Sequence, residues 1–151
     1  SSPVSYDSRY NWERVLALAC SFEKKKRMEQ RKEEWTVALN TESQDRNYLY
    51  GRLLAIADRV EYRTFEKDEV RETNAKRFMN AFSQQPFRTW KVIEERLGPY
   101  FVKLSLPERL RYEHMIEDVS WKFQEGDFEK NDALNGLYLL GYHNQSYAFR
   151  N

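Results

Sequence analysis

Asp45-Arg46-Asn47-Tyr48-Leu49-Tyr50-Gly51-Arg52-Leu53-Leu54-Ala55-Ile56-Ala57-Asp58-Arg59-Val60-Glu61 is the stretch whose reading decides the fold. At about 100° per residue, Leu49, Leu53, Ile56, Ala57 and Val60 fall on one face, the pattern of a helix that buries one side. The spacing predicts a helix from near Asp45 to about Phe65. Upstream, residues 40–44 read as a loop, and residues 35–39 as a short apolar island. Before them, Asn11 suits the cap of a helix carrying Trp12, Val15, Leu16, Ala19 and Phe22.

Downstream the period stays helical. Thr73 is a natural cap for a helix bearing Ala75, Phe78, Met79 and Phe82. Pro86 breaks that helix and suits the first turn of the next, with Trp90, Ile93 and Leu97, which Gly98-Pro99 stops. Ser105-x-Pro107-Glu108 has capping-box spacing and opens a helix with Leu110, Met115, Val119 and Phe123 on its core side and Gly126 at its end. Asp132 can cap a last helix bearing Leu134, Leu137, Tyr138, Gly141, Tyr142 and Gln145. No strand alternation competes with this. The expected fold is all-α, a single-domain bundle of about five or six helices over residues 11–151, with residues 1–10 as an extension.

Composition narrows the function classes. At 151 residues the chain suits one core, and 15% aromatic content argues against disorder. Twenty-five Lys and Arg against 24 Asp and Glu exclude an overtly basic binder but leave room for a local basic face. A single cysteine, Cys20, excludes an internal disulfide and a cysteine-based zinc site. No apolar run approaches the roughly 20 residues that span a bilayer, and the polar start is no signal peptide, so a cytoplasmic protein without a membrane partner is expected. The first residue is Ser1, which suggests a processed chain or a piece of a longer one.

Catalytic signatures are missing: no phosphate-binding loop, no dinucleotide fingerprint, no HExxH. His114 with Glu117 and Asp118 reads as a surface pair, and His143 as a helix-end cation or hydrogen-bond donor. The acidic doublets, such as Glu94-Glu95, point about 100° apart on a helix and do not chelate together. No catalytic residue, metal or cofactor is expected.

Charge distribution carries more. Residues 73–93 contain no acid but hold Lys76, Arg77, Arg88 and Lys91, the amides of Asn74, Asn80, Gln84 and Gln85, and the rings of Phe87 and Trp90. Cations neutralise phosphates, amides bond backbone oxygens and rings stack bases, so the segment suits a nucleic-acid strand. In the helix from Asp45, Arg52, Arg59 and Arg63 lie within about 20° of one line, a stripe about 16 Å long that borders the apolar face. Tyr48 and Tyr62 flank it. The run at 24–27 is flanked by Glu23 and Glu29 and reads as solvated surface.

Residues 45–61, Thr73-Asn74-Ala75-Lys76-Arg77-Phe78 with Phe82-Ser83-Gln84-Gln85-Pro86-Phe87 and Trp90, and the ending Gly136-Leu137-Tyr138-Leu139-Leu140-Gly141-Tyr142-His143-Asn144-Gln145 together resemble one family. It is the C-terminal region of the Csd-type (Cas-eight-type) large subunit of subtype I-C CRISPR Cascade. The opening Asn11-Trp12-Glu13-Arg14-Val15-Leu16 also fits, so the resemblance spans about residues 11–150. In that family this region is also made alone, as the small (Cas-eleven-type) subunit, a helical bundle along the belly of the complex. The resemblance implies a non-enzymatic module in antiviral defence. Its implied partners are the backbone and large subunits, the crRNA-containing complex and displaced single-stranded target DNA. The basic residues Arg52, Arg59, Arg63, Lys76, Arg77, Arg88 and Lys91 are the expected strand contacts. The alternative is a purely structural module that docks proteins only.

Overall fold

Asp45 begins the central helix as its sequence foretells. Its carboxylate accepts the backbone amides of Asn47 at 2.8 Å and Tyr48 at 3.2 Å, satisfying two donors that the first helical turn leaves unpaired. The computed structural model describes residues 38–150. The helix expected at 11–22, Cys20, the basic run at 24–27 and most of the 35–39 island lie outside them.

From Asp45 onward the chain forms α1 (Arg46–Tyr62), α2 (Asn74–Arg77), α3 (Met79–Gln84), α4 (Pro86–Arg96), α5 (Gly98–Lys103), α6 (Leu106–Trp121) and α7 (Leu137–Arg150). No strand occurs among the described residues, and the all-α expectation holds.

α1 is the axis of the fold. Every residue from Tyr48 to Ala57 is buried, so both of its faces are covered, and not the single face its periodicity suggests. α7 covers one side and runs in the same direction, pairing Asn47 with Asn135 near the start and Arg52 with Gln145 further on. α6 covers another side and runs oppositely, its first turn tied to the end of α1 by Arg63 and Glu108. The core joins Leu49, Leu53, Ile56 and Val60 of α1 to Phe82, Trp90, Ile93, Leu97, Tyr112 and Val119.

The α1–α7 contact depends on two glycines. A Cβ on Gly51 would stand 1.9 Å from the Tyr138 carbonyl oxygen, and one on Gly141 would stand 2.1 Å from the Tyr48 carbonyl oxygen. The backbones meet where neither helix carries a side chain. Beside this contact, Tyr48 Oη accepts from Asn144 Nδ2 at 3.0 Å and from the Asn40 amide at 2.9 Å.

Five expectations need correction. The helix from Thr73 is interrupted at Phe78, which separates α2 from α3. Gly98-Pro99 follows the end of α4 at Leu97 but also starts α5, where the fixed φ of Pro99 suits a first turn. α6 ends at Trp121, and Gly126 takes φ 85° in the loop beyond it. Leu110 is 44% exposed, and the core face of α6 is set by Tyr112, Ile116 and Val119. The cap of α7 also moves. Asn135 Oδ1 accepts the Leu137 amide at 2.9 Å, while the Asp132 carbonyl is drawn to Arg46 Nη2 at 2.6 Å. Arg46, which also donates to Asp127 and Lys130, stitches the loop between α6 and α7 to the start of α1.

Candidate nucleic-acid interface

The exposed cations of α2 are placed by two carboxylates of α1. Glu61 Oε1 accepts the Asn74 amide at 2.7 Å and Asn74 Nδ2 at 3.0 Å, and its other oxygen pairs with Arg71. The Thr73 hydroxyl donates to Asp58 and accepts the Lys76 amide at 3.2 Å. Burial drives the Glu61 carboxyl upward, but the hydrogen bonds from Arg71 and Asn74 outweigh it and hold its pKa below the usual range. Asp58 goes the other way, raised by burial despite the Thr73 hydrogen bond. The start of α2 is therefore pinned, and Lys76 and Arg77 project from it exposed.

This anchor yields a stability prediction. Glu61→Ala strips partners from Arg71 and from a buried backbone amide, and should cost about 3 kcal/mol in urea unfolding. Because the folded pKa is depressed, the stabilisation is complete above the unfolded glutamate value and is lost as pH falls through the folded one. Glu61→Gln should therefore unfold with a shallower loss below about pH 4.5 than the parent. Taking the difference between the two proteins removes the opposite contribution of Asp58.

α4 supplies the other pair. Pro86 occupies its first turn, and the Arg88 amide is taken at 3.1 Å by Asn131 Oδ1 from the α6–α7 loop. Arg88 and Lys91 are exposed, and Lys91 Nζ sits 4.8 Å from the centre of the Phe87 ring. Among the described residues no carboxylate forms an ion pair with Lys76, Arg77, Arg88 or Lys91. Arg77 Nη2 instead donates to Asn74 Oδ1 at 2.7 Å, an oxygen that Arg96 Nη1 approaches at 3.4 Å. Two guanidiniums thus share one neutral acceptor. Arg96 lies outside the acid-free segment and was not among the expected contacts.

The arginine stripe of α1 is aligned as expected, but Arg52 and Arg59 are covered and Arg63, though exposed, is ion-paired. Arg52 is 6% exposed and donates from Nε to Gln145 Oε1 at 2.9 Å, and burial lowers its pKa from the ordinary arginine value. It is therefore not a surface cation. Arg59 is half-buried, its guanidinium carbon 5.5 Å from the centre of the Phe149 ring and 6.0 Å from that of Tyr62. Arg63 is held by Glu108 at 2.6 Å. For Arg52 and Arg59 the cause is the glycine contact between α1 and α7, which brings Gln145 and Phe149 down over them.

The expected stacking rings are also committed elsewhere. Trp90 is 1% exposed within the core. Phe87 packs edge-on against Phe128, with ring centres 5.5 Å apart. Some accessible apolar surface lies nearby, in an open groove of about 270 Å³ between α3 and α4, lined by Phe78, Ala81, Gln84, Gln85, Arg88, Thr89 and Val92.

The histidines divide. His114 is exposed on α6. Burial, with a smaller contribution from Arg150, pushes the pKa of His143 down to about 4, so it is neutral at pH 7 and does not serve as a helix-end cation. Among the described residues no group of three or more His, Cys, Asp or Glu could hold a metal ion. No helix among them is long and apolar enough to cross a membrane.

A family model described as CRISPR-associated protein (Cas_Csd1) matches residues 4–150. No curated protein matches the chain.

Proposed function

The chain belongs to the Cas_Csd1 family of CRISPR-associated proteins, and on that premise we propose that it is a non-catalytic part of a type I-C RNA-guided surveillance complex. In this reading it bridges the backbone subunits and holds the displaced non-target DNA strand, so that the R-loop persists. The observation that carries the reading is the set Lys76, Arg77, Arg88 and Lys91, exposed on α2 and α4, none of them in an ion pair with a carboxylate among the described residues, although Asp58 lies near Lys76 and Glu94 near Lys91.

The physics suits the role. Base pairing reads the target sequence, and exchanging one duplex for another is nearly balanced, so a few phosphate contacts to the displaced strand shift the outcome. Of the seven expected contacts, the proposal keeps these four. Arg52 is buried, Arg59 packs on aromatic rings and Arg63 is engaged by Glu108.

The test is R-loop formation by the complete complex carrying Lys76→Ala, Arg77→Ala, Arg88→Ala and Lys91→Ala together. R-loop lifetime should fall about tenfold or more at moderate salt, with the circular dichroism of the subunit unchanged. An unchanged lifetime would sink the strand-holding reading.

A second reading, docking to proteins alone, also has an observation in its favour. Leu106, Leu110 and Trp121 lie within about 60° of one another around α6 and are 64%, 44% and 81% exposed. If the four-residue variant failed to assemble with the other subunits while R-loops formed normally on the assembled fraction, this reading would replace the first.

A further inference from the structure

Two buried polar atoms at the α1–α7 contact find no hydrogen-bond partner among the described residues: Arg52 Nη1, a donor, and Asn144 Oδ1, an acceptor. Arg52 is 6% exposed and Asn144 2%. The arginine is the costlier of the two, because a buried charge without a paired carboxylate is strongly unfavourable. Its Nε is satisfied by Gln145. Tyr48 and Asp118 favour its charge, but burial outweighs them. Among the described residues no carboxylate forms an ion pair with it. Both atoms adjoin the place where the chain enters the fold. Tyr48 Oη accepts from the Asn40 amide and from Asn144 Nδ2, and Leu39 packs against Tyr48 and Leu140. Arg52 follows Tyr48 by about one helical turn, roughly 6 Å along α1.

We propose that the segment leading into Ala38 docks on this spot, and that one carboxylate of the adjacent pair Glu33-Glu34 pairs with Arg52. Glu34 precedes Ala38 by four residues. That is a reach of up to about 14 Å for an extended chain and about 6 Å for a helix, so either conformation can bring a carboxylate to Arg52. Trp35 and Val37 lie between and add apolar cover beside Leu39. The Trp35 indole N–H and the Thr36 hydroxyl are donors, and either suits Asn144 Oδ1. The segment thus offers the anion, the donor and the apolar surface that the spot lacks. The proposal goes beyond strand holding and does not depend on it: Arg52, expected from the sequence to meet a strand, becomes the anchor of the incoming chain.

The experiment is a double-mutant cycle in the full chain, read by urea unfolding. Glu33→Gln with Glu34→Gln keeps side-chain shape and removes the charge. In the parent it should lower the folding equilibrium constant at least about tenfold, because it leaves a buried guanidinium unpaired. In an Arg52→Met protein, which keeps an apolar stem in place, it should change that constant by less than about twofold. Glu23→Gln with Glu29→Gln removes the same charge from elsewhere in the segment and should stay within about twofold of the parent. No loss in the parent, or the same loss with and without Arg52, would overturn the proposal. So would an equal loss in the Glu23 and Glu29 control, which marks an effect of net charge. Should Arg52→Met fail to fold, amide hydrogen exchange over residues 35–37 decides without it. Exchange there should be at least about fivefold faster in the Glu33 and Glu34 variant than in the control variant, and equal rates overturn the proposal. If the Glu33 and Glu34 variant is as stable as the parent while Arg52→Met blocks assembly of the complex, the missing carboxylate belongs to another subunit and the proposal falls.

Discussion

Gly141→Ala should cost the fold about 3–5 kcal/mol, an exceptional value for adding one methyl group. The new carbon would stand 2.1 Å from the Tyr48 carbonyl oxygen, and the next nearest atoms are also Tyr48 backbone. No rotamer change relieves such a clash. α7 has to move away from α1, and the buried pairs Arg52–Gln145 and Tyr48–Asn144 open with it. Gly51→Ala meets the Tyr138 carbonyl from the other helix and should behave alike. Gly98→Ala is the control: nothing lies within 4 Å of its added carbon, and it should stay within about 0.5 kcal/mol of the parent. Urea unfolding followed by far-ultraviolet circular dichroism reads all three. A Gly141→Ala protein as stable as the parent would mean that the two helices do not meet at these glycines.

The second large effect is Trp90→Ala. An indole in this segment could stack a base, in which case its loss would weaken strand binding by about 1–3 kcal/mol and leave stability alone. The structure decides between the roles, because Trp90 is 1% exposed and packs in the core with Phe82, Ile93 and Leu97. Its truncation should therefore cost about 3–5 kcal/mol of folding free energy. Trp90→Phe, which keeps most of the ring volume, should cost about 1–2 kcal/mol and leave R-loop lifetime unchanged in the assembled complex. A Trp90→Phe protein of parental stability that lost R-loops would return the residue to the strand.

Much of the fold was legible because local signals agreed. Asp45, Thr73, Ser105 and Pro86 sit where capping chemistry puts them, and each marks a real helix start. The cap of α7 was not, because Asp132 and Asn135 are equally good capping residues and only the fold shows the helix opening at Leu137, within reach of Asn135 and not of Asp132. Periodicity placed Leu49, Leu53, Ile56 and Val60 correctly, yet it could not show that Tyr50, Leu54 and Ala55 on the other face are buried as well. That depends on how many helices surround α1.

The same limit governs the site. Lys76, Arg77, Arg88 and Lys91 were readable because a run free of acids, 73–93, is a local property of the sequence. Arg52 was misplaced for a nonlocal reason. Gly51 and Gly141 lie 90 positions apart, and nothing in either sequence window says that they meet. A glycine inside an otherwise strong helix, twice, was the available signal, since such a residue weakens a helix unless a close approach needs it. Arg96 escaped notice because it lies beyond the acid-free segment, and only the fold brings it to the Asn74 oxygen that Arg77 also reaches.

The most direct test of strand holding is the salt dependence of R-loop stability, measured for the complete complex with and without the substitutions at Lys76, Arg77, Arg88 and Lys91. Each phosphate contact to a single strand contributes about 0.7 to the logarithmic slope, so losing four should flatten the slope by about 2 to 3. Parallel slopes for parent and variant would contradict strand holding, because these cations would then release no counterions when the displaced strand is bound.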